Sequence, residues 1–551
     1  MFVAPTAVVA ASTCDDLAAS RRQAQSWRSS ELTVAGPDLT DTALADLIGT
    51  AERAGDRDFA RVAGAVLAAR SGSFAPVPHI DSATEILRTF LQTDLIDGWL
   101  YVRESDGHLH PYLVTAISME HADRTRGARV KVTTEADNPT VKRPSRAPRI
   151  LYFDETEVVG KTPADIFTAG GAYKETPQLK AAYQERRDAF DTLIDQGFGE
   201  QYTFTGRALR TDDYKSPNVR SGRKVIHDVA ADEISALRNV TRSALHGDGE
   251  YGPVPVITAV RVFDLSAQDF LDVNTADLIG YRYDEQLQDK LVLPAEHREL
   301  LDILTTDISV FTGDIIDGKS AGNVVLAKGR PGVGKTLTAE VYSEVIGRPL
   351  YSIHSGSLGI TPEAVRKNLE VIFDRAERWR AVLILDEADV FVAERGFDLV
   401  QNAIVAEFLR TLEYFDGLLF LTTNRIDGVD EAILARCAAV IEYTAPTPDD
   451  ARLIWQTLAA GHDVTFADGL LDDLVDGFPE ITPRDIKMLL RLALRMAAHR
   501  GCALSPEVFA RSASFRGLRY VPPERRSTNS RSTTPSTSLC PSPAAPRKEQ
   551  P

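Results

Sequence analysis

The sequence predicts an α/β protein whose core is a parallel β-sheet, preceded by an α+β accessory region. Three observations predict this fold class. A glycine-rich loop at residues 329–336 lies between a short apolar run and a helix-compatible run. Strand-like and helix-like segments then alternate along residues 350–421. Residues 381–385 are all apolar, which is typical of a strand buried on both faces of a parallel sheet.

Composition indicates an ordinary globular protein. Of its 551 residues 43% are hydrophobic and 26% charged, and the chain is long enough for about two to four domains. The net charge of -17 gives the whole chain no attraction for nucleic acid or anionic membranes. The four cysteines are far apart and form no C-x-x-C pair, which argues against a zinc knuckle or a disulfide framework and favours a reducing compartment.

The start of the chain lacks the basic region of a signal peptide, and its apolar run is broken at Pro5. No later segment approaches the roughly 18 uncharged apolar residues of a membrane span. We therefore expect a cytoplasmic protein without a membrane span.

The chain before residue 281 carries no motif that names a chemistry. We predict a variable helical segment at residues 1–78 and an α+β accessory region at residues 79–280, which would bind a partner or substrate. Three nearby histidines, His108, His110 and His121, could bind a metal, but histidines facing solvent are far commoner. The basic segments 141–149 and 210–228 are predicted to be a linker and a surface loop, with nucleic-acid contact as the less favoured alternative.

The glycine-rich loop has the spacing G-x-x-x-x-G-K-[ST] through Gly329, Gly334, Lys335 and Thr336. Glycines let successive backbone N–H groups face a phosphate, and the helix that follows adds its positive end. Lys335 would place a charge on the outer phosphates, and Thr336 would place a hydroxyl on Mg²⁺. The residues expected to contact the nucleotide are Gly329, Pro331, Gly332, Val333, Gly334, Lys335, Thr336 and Leu337.

Two carboxylates follow the apolar strand at residues 381–385. Asp386 lies where it can hold Mg²⁺ opposite Thr336, and Glu387 can accept a proton from an attacking water. The alternative is two solvated carboxylates at a strand end. The next apolar strand, at residues 418–421, is followed by Asn424, which can orient the water from the other side.

These stretches together resemble the AAA family of AAA+ ATPases. The resemblance rests on residues 329–336, on Leu-Ile-Leu-Asp-Glu-Ala-Asp at 383–389 and on Thr-Thr-Asn-Arg at 422–425, and it covers roughly residues 291–498. It implies a five-stranded parallel sheet between helices and a small helical lid. It also implies a ring, often of six subunits, with ATP between neighbours.

The resemblance assigns roles by position. Lys335 and Thr336 form the Walker A pair, Asp386 and Glu387 the Walker B pair, and Asn424 is the sensor 1 residue. Arg436 lies where the family has its arginine finger, and Arg484 resembles the sensor 2 arginine of the lid. The alternatives are a surface arginine for Arg436 and an exposed helix start for Arg484.

The chain departs from the family pattern in three places. Arg330 replaces a common proline, and Arg436 is a single arginine where many relatives have two. The segment at residues 355–362, in the pore-loop region, lacks the aromatic side chain that grips a threaded polypeptide. Leu358 and Ile360 would be weaker substitutes.

The sequence thus predicts an ATPase core at residues 281–446, a helical lid at 447–515 and a disordered basic tail at 516–551. The predicted reaction is Mg²⁺-dependent hydrolysis of ATP by a homo-oligomer that remodels a protein client. The sequence does not name the client. A scaffold or switch whose assembly is controlled by ATP is the alternative, and nucleic-acid remodelling is less favoured.

Overall fold

A computed structural model of the chain describes residues 2–27, 31–35, 38–122, 126–139, 145–209, 222–229, 240–247, 250–305 and 323–522. Within these ranges the chain forms two compact units, one of residues 1–288, 301–327 and 336–441 and the other of residues 289–300, 328–335 and 442–551. Parts of the predicted basic linker, basic surface loop and tail, at residues 141–144, 210–221 and 523–551, lie outside the described residues. None of the helices in those ranges has the length and apolarity that a membrane crossing requires.

The first unit begins with a small helical layer. Strand β1 (Phe2–Pro5) pairs antiparallel with β2 (Glu31–Val34). Five helices accompany this pair: α1 (Thr6–Ala11), α2 (Ala18–Ser26), α3 (Asp41–Ala54), α4 (Arg57–Arg70) and α5 (Ile80–Gln92). Helix α3 begins after Thr40, whose side chain accepts a hydrogen bond from the Ala43 N–H, and it ends at Gly55 in the left-handed conformation.

An antiparallel sheet follows, with strand order β6-β5-β4-β3-β7. Its strands are β3 (Trp99–Arg103), β4 (Leu109–Glu120), β5 (Arg129–Asn138), β6 (Ser145–Asp154) and β7 (Ala172–Lys174), and helices α6 (Glu155–Val158) and α7 (Pro163–Ala169) lie between the last two. One hydrophobic core joins this sheet to the helical layer, from Phe2 to Ala172. The predicted boundary at residue 78 therefore falls inside a continuous core.

Two histidines near the β3–β4 turn lie within hydrogen-bond distance of aspartates. His110 Nε2 lies 2.7 Å from Asp106 Oδ2 in a fully buried pair. His108 Nε2 lies 3.0 Å from Asp277 Oδ2. His121, the third residue considered for metal binding, is exposed. Among the described residues no group of three or more His, Cys, Asp and Glu side chains could hold a metal ion.

A second accessory sheet has the order β13-β12-β9-β8-β14. It consists of β8 (Gln201–Phe204), β9 (Arg223–His227), β12 (Ala259–Asp264), β13 (Asp269–Asn274) and β14 (Leu278–Gly280). Helix α8 (Pro177–Gln196) packs Phe190 and Ile194 against it. Strand β10 (Val240–Arg242) pairs with β11 (Tyr251–Pro253) in a separate two-stranded sheet, and the Trp99 indole N–H of the first accessory sheet donates to the Pro253 carbonyl oxygen. Helix α8 ends at Gly197, whose φ is -97°. Gly199, two residues later, has the left-handed backbone conformation.

The second accessory sheet packs directly on the predicted catalytic core within the same unit. The ring of Phe263 contacts those of Tyr351 and Trp379. The Trp379 indole N–H donates to Asp228 Oδ1 at 2.8 Å. On another side, Lys224 Nζ donates to Glu344 Oε1 at 2.7 Å.

The core confirms the predicted five-stranded parallel sheet, with the order β16-β17-β18-β15-β19. Its strands are β15 (Asn323–Gly329), β16 (Leu350–His354), β17 (Val382–Asp386), β18 (Leu418–Thr423) and β19 (Ala439–Tyr443). The helices of this part of the chain are α9 (Ala295–Thr305), α10 (Lys335–Val345), α11 (Pro362–Arg378), α12 (Leu399–Leu412) and α13 (Glu431–Leu434). Strand β18 is buried along its whole length, as a central strand covered on both faces must be.

The second unit contains a separate helical bundle: α14 (Pro448–Ala460), α15 (Leu470–Gly477), α16 (Pro483–Arg500) and α17 (Pro506–Ser514). Trp455, Leu474, Leu489 and Phe509 are central to its core. Threonine caps begin α14 and α16, and each is followed by proline at the first helical position.

Candidate active site

The glycine loop follows β15 and holds three glycines at positive φ: Gly329 at 151°, Gly332 at 85° and Gly334 at 110°. A Cβ atom on Gly329 would lie 2.3 Å from the carbonyl oxygen of Tyr443, and one on Gly332 would lie 2.9 Å from Cβ of Arg484. The first two glycines therefore allow both an unusual backbone conformation and a close approach that other residues would block.

Lys335 ends the loop and begins α10. Its Nζ donates to the carbonyl oxygens of Gly329 at 2.7 Å and Arg330 at 2.9 Å, and the residue is only 7% exposed. The loop thus holds the ammonium group with its own carbonyls. Next to Lys335, the loop residue Val333 is buried, whereas Leu337 and Pro331 are exposed.

Thr336, in the first turn of α10, meets the end of β17. Its hydroxyl donates to Asp386 Oδ1 at 3.0 Å. The same carboxylate oxygen accepts a hydrogen bond from Thr422 Oγ1 at 2.5 Å, near the end of β18. Side chains distant in sequence, Thr336 and Thr422 among them, are therefore brought to one oxygen atom of Asp386 at the carboxyl edge of the sheet.

Glu387 follows Asp386 in a left-handed backbone conformation, with φ 54° and ψ 46°. This conformation is uncommon outside glycine and needs support from its surroundings. The Glu387 N–H donates to Thr422 Oγ1 at 3.0 Å, so Thr422 contacts both Asp386 and Glu387. The Glu387 side chain is 57% exposed, which leaves its carboxylate accessible to water.

His354 ends β16, directly opposite Asp386 in the parallel register. Its Nε2 lies 3.2 Å from Glu387 Oε2, and its Nδ1 accepts from the Gly356 N–H at 3.4 Å. With Nδ1 facing the Gly356 N–H, a hydrogen on Nε2 would point at the Glu387 carboxylate. His354 therefore positions the predicted base.

Asn424 immediately follows β18, and Asp389 holds the backbone there. Asp389 Oδ1 accepts from the Asn424 N–H at 2.8 Å and from Thr423 Oγ1 at 2.5 Å. The predicted sensor residue is thereby tied to the turn Ala388–Val390 that follows Glu387.

The two predicted arginines lie in different parts of the chain. Arg436 follows α13, with Nη1 donating to the Ala432 carbonyl at 3.3 Å and Nη2 3.7 Å from Glu413 Oε2. Arg484 lies in the first turn of α16, exposed, and its backbone N–H donates to the Gly332 carbonyl oxygen at 3.1 Å. Arg484 thus lies against the glycine loop within the second unit.

Sequence reasoning missed His354, Thr422 and Asp389. A lone histidine or threonine at the end of a strand has no diagnostic spacing. The available signal was topological, because the carboxyl ends of parallel strands meet at one edge of the sheet and bring polar residues there together.

The oxygen atoms of Thr336 and Asp386 fit a hard divalent cation. Mg²⁺ binds through one or two protein oxygens and completes its octahedral shell with water and substrate phosphates. A protein cage of three or more carboxylate, histidine or cysteine ligands is not needed for such a site. The glycine loop, with three left-handed positions, provides the backbone cradle that a phosphate chain requires.

Comparison with known proteins agrees with these motifs. The model of the "ATPase family associated with various cellular activities (AAA)" matches residues 325–445. An uncharacterized AAA domain-containing protein of Schizosaccharomyces pombe is 31% identical over 151 residues, 25% of this chain and 19% of that protein.

Two prokaryotic relatives have more specific names. A putative 26S proteasome regulatory subunit homolog of Methanothermobacter marburgensis is 27% identical over 190 residues, 32% of this chain and 50% of that protein. An ATP-dependent zinc metalloprotease FtsH of Synechococcus is 30% identical over 192 residues, 32% of this chain and 30% of that protein. The chain spans half or less of the length of each of these relatives.

Proposed function

Because the chain carries an AAA-family P-loop ATPase domain across residues 325–445, we propose that it is a Mg²⁺-dependent ATPase that assembles into a homo-oligomeric ring and remodels a protein client. The observation that carries this proposal is the hydrogen bond from Thr336 to Asp386, with Glu387 next in the chain. This hydrogen bond brings together the two residues proposed to hold the metal, Thr336 and Asp386. The carboxylate of Glu387 lies beside them and is available for proton transfer.

Bound Mg²⁺, held by Thr336 and Asp386, would neutralise charge on the β- and γ-phosphates. Glu387 accepts a proton from the attacking water, while His354 and Thr422 fix its position. Asn424 orients the same water. Lys335 exchanges its loop carbonyl partners for phosphate oxygens.

Two arginines complete the proposed site. Arg436 enters from the neighbouring subunit and neutralises the charge that develops on the transferred phosphate, so hydrolysis depends on assembly. Arg484 contacts the nucleotide of its own subunit and links it to the helices at residues 447–515. The remaining expected contacts, from Pro331 to Leu337, are those of the glycine loop.

The first test replaces the base. Glu387→Gln keeps the size and hydrogen-bonding reach of the side chain but removes proton acceptance, so the variant should bind ATP with near wild-type affinity and stall before hydrolysis. The measurements are fluorescent-nucleotide binding and phosphate release. Hydrolysis at the wild-type rate would show that Glu387 is not the base.

The second test concerns assembly. Arg436→Ala subunits retain a nucleotide site but no finger, whereas Lys335→Ala subunits retain the finger. Mixed oligomers should recover part of the activity that each variant lacks alone. If mixing is verified and no activity returns, Arg436 does not act in trans.

Client remodelling is supported by side chains that could contact a polypeptide. In the pore-loop segment, Leu358 is fully buried, so of the two expected substitutes only Ile360, 84% exposed, is available. The expectation that Leu358 could contact a polypeptide is wrong, because its side chain packs in the core around the parallel sheet. An aromatic side chain is exposed elsewhere: Phe397, before α12, extends fully into solvent.

The alternative is a scaffold whose assembly is set by ATP and whose accessory region, residues 79–280, binds a partner without threading it. The absent aromatic at residues 355–362 favours this alternative. ATP-dependent loss of fluorescence from a tagged client, first captured with Glu387→Gln, distinguishes the two. The remodelling proposal predicts that loss, and predicts that Phe397→Ala diminishes it while ATP hydrolysis continues.

Nucleic-acid remodelling is a third and less favoured possibility. It predicts DNA- or RNA-stimulated hydrolysis that declines steeply with salt. Absence of stimulation at low salt would remove it.

A further inference from the structure

A backbone ladder connects the loop after Glu387 to the segment that leads to Arg436. The Asp430 N–H donates to the Val392 carbonyl at 2.9 Å, and the Glu394 N–H donates to the Gly428 carbonyl at 2.9 Å. Ala393 and Val429 form an antiparallel bridge between these bonds. The start of α13 is therefore attached to residues that follow the Walker B motif.

Asp430 caps α13. Its Oδ1 accepts from the Ala432 N–H at 2.9 Å, and the residue is 3% exposed. Helix α13 has only four residues, too few to be stable without a cap and packing. Its position therefore depends on how firmly Asp430 is held.

Arg395 holds Asp430 from the opposite side. Arg395 Nε donates to Asp430 Oδ2 at 2.7 Å, and Nη2 lies 3.4 Å from Oδ1. Burial acts to raise the pKa of Asp430, but the hydrogen bonds from Arg395 and the Ala432 N–H outweigh it, and the net shift is downward. The buried carboxylate is thus ionised and paired with an arginine that belongs to none of the catalytic motifs.

Arg436 in turn depends on α13. Its N–H donates to the Ile433 carbonyl at 3.0 Å, and its guanidinium donates to the Ala432 carbonyl at 3.3 Å. Any movement of this single helical turn therefore moves Arg436.

We propose that Arg395 is a positioning residue for Arg436: by fixing Asp430 and α13, it presents the finger to the neighbouring subunit. This inference rests on the proposed trans role of Arg436. It assigns to Arg395 an effect on the neighbour's nucleotide site, although Arg395 lies in the loop that follows its own subunit's Glu387.

The test combines Arg395→Ala with subunits of known defect. In homo-oligomers the variant should retain ATP affinity within about twofold and lose kcat by about ten- to hundredfold, as expected for the loss of a charged hydrogen bond that orders a catalytic group. Mixing Arg395→Ala with Lys335→Ala subunits should restore activity, because the first supplies the site and the second a correctly held finger.

Two further variants sharpen the result. Arg395→Lys keeps the charge but loses the two-nitrogen contact, and it should fall between wild type and Arg395→Ala. Arg366→Ala, which breaks an exposed pair with Glu370 at 2.7 Å, is the matched control and should hydrolyse ATP as wild type does. Oligomer size by light scattering verifies that each variant assembles.

The outcomes separate the two proposals. If Arg436→Ala recovers on mixing with Lys335→Ala but Arg395→Ala does not, Arg395 acts within its own subunit and the positioning role is wrong. Wild-type kcat for Arg395→Ala also overturns it. If wild type hydrolyses ATP and neither variant recovers, the trans finger itself is wrong, and the positioning role with it.

Discussion

Replacing Thr422 by valine tests whether one hydroxyl group holds Asp386 and Glu387 in place. Valine keeps the branched shape that suits the buried strand β18, so packing is retained. What disappears is the donor to Asp386 Oδ1 and the acceptor for the Glu387 N–H. The change therefore isolates two hydrogen bonds at the catalytic edge of the sheet.

The magnitude follows from those two contacts. A hydrogen bond to a charged group contributes about 1.5–3 kcal/mol, and leaving the partly buried Glu387 N–H without its partner costs about 1 kcal/mol, the low end of the range for a buried group. Glu387 also loses support for a left-handed conformation that costs on the order of 1–3 kcal/mol. If half of these two hydrogen-bond contributions is lost from the transition state, kcat falls about ten- to thirtyfold, since each 1.36 kcal/mol is tenfold.

Steady-state phosphate release measures kcat, and fluorescent-nucleotide binding measures ATP affinity, which should change little because Lys335 and the glycine loop are untouched. Thr422→Ser is the control: it restores the hydroxyl without the methyl group and should stay within about threefold of wild type. A kcat for Thr422→Val within twofold of wild type would refute the reasoning. Equal losses in the valine and serine variants would show that packing, not hydrogen bonding, is responsible.

Two other predictions concern the accessory sheet. Burial lowers the pKa of His227 to about 4, and a contact with the Gly197 backbone opposes this shift only in part. The unfolded chain therefore takes up a proton below about pH 6.5 before the folded chain does, and His227 should cost the protein about 2 kcal/mol of stability between pH 7 and pH 5. His227→Leu should lack this loss in denaturant titrations; an unchanged pH dependence contradicts it. In a double-mutant cycle with Lys224→Met and Glu344→Gln, a coupling of about 1 kcal/mol is expected, because the Lys224 side chain is partly exposed and screened. Thermal or denaturant unfolding measures it, and additivity within about 0.3 kcal/mol contradicts it.

The catalytic sheet was predictable because its signals are local. A buried parallel strand is a continuous apolar run, as at Val382 to Leu385, and the glycine loop has fixed spacing. The pairing of Thr336 with Asp386 followed from motif order alone. These signals did not predict that Thr422 also contacts Asp386, because a threonine within a strand cannot be distinguished by sequence from other β-branched strand residues.

The accessory region was less predictable for a different reason. Its strands pair with non-sequential partners, such as β8 with β14 and β12 with β9, and the alternation of residues along a strand carries no information about which strand lies beside it. By contrast, the turn between β3 and β4 contains Asp106-Gly107, a sequence signal for a hairpin that is local. The contact of His110 with Asp106 had no sequence signal: the histidines were expected to face solvent, whereas His110 is buried.

The accessory sheet is attached to those core elements that carry the proposed catalytic groups. Phe263 packs on Tyr351 in β16, the strand that ends at His354, and Lys224 pairs with Glu344 in the last turn of α10, the helix that begins with Lys335 and Thr336. The contact of Phe263 with Tyr351 is between aromatic rings, whereas the contact of Lys224 with Glu344 is a hydrogen bond between charged groups. A flexible tether would transmit little, but a sheet packed on β16 and α10 moves with them. A partner bound to this sheet would therefore act on His354 and Thr336 through two rigid elements, and the ATPase cycle would act on the partner by the same route.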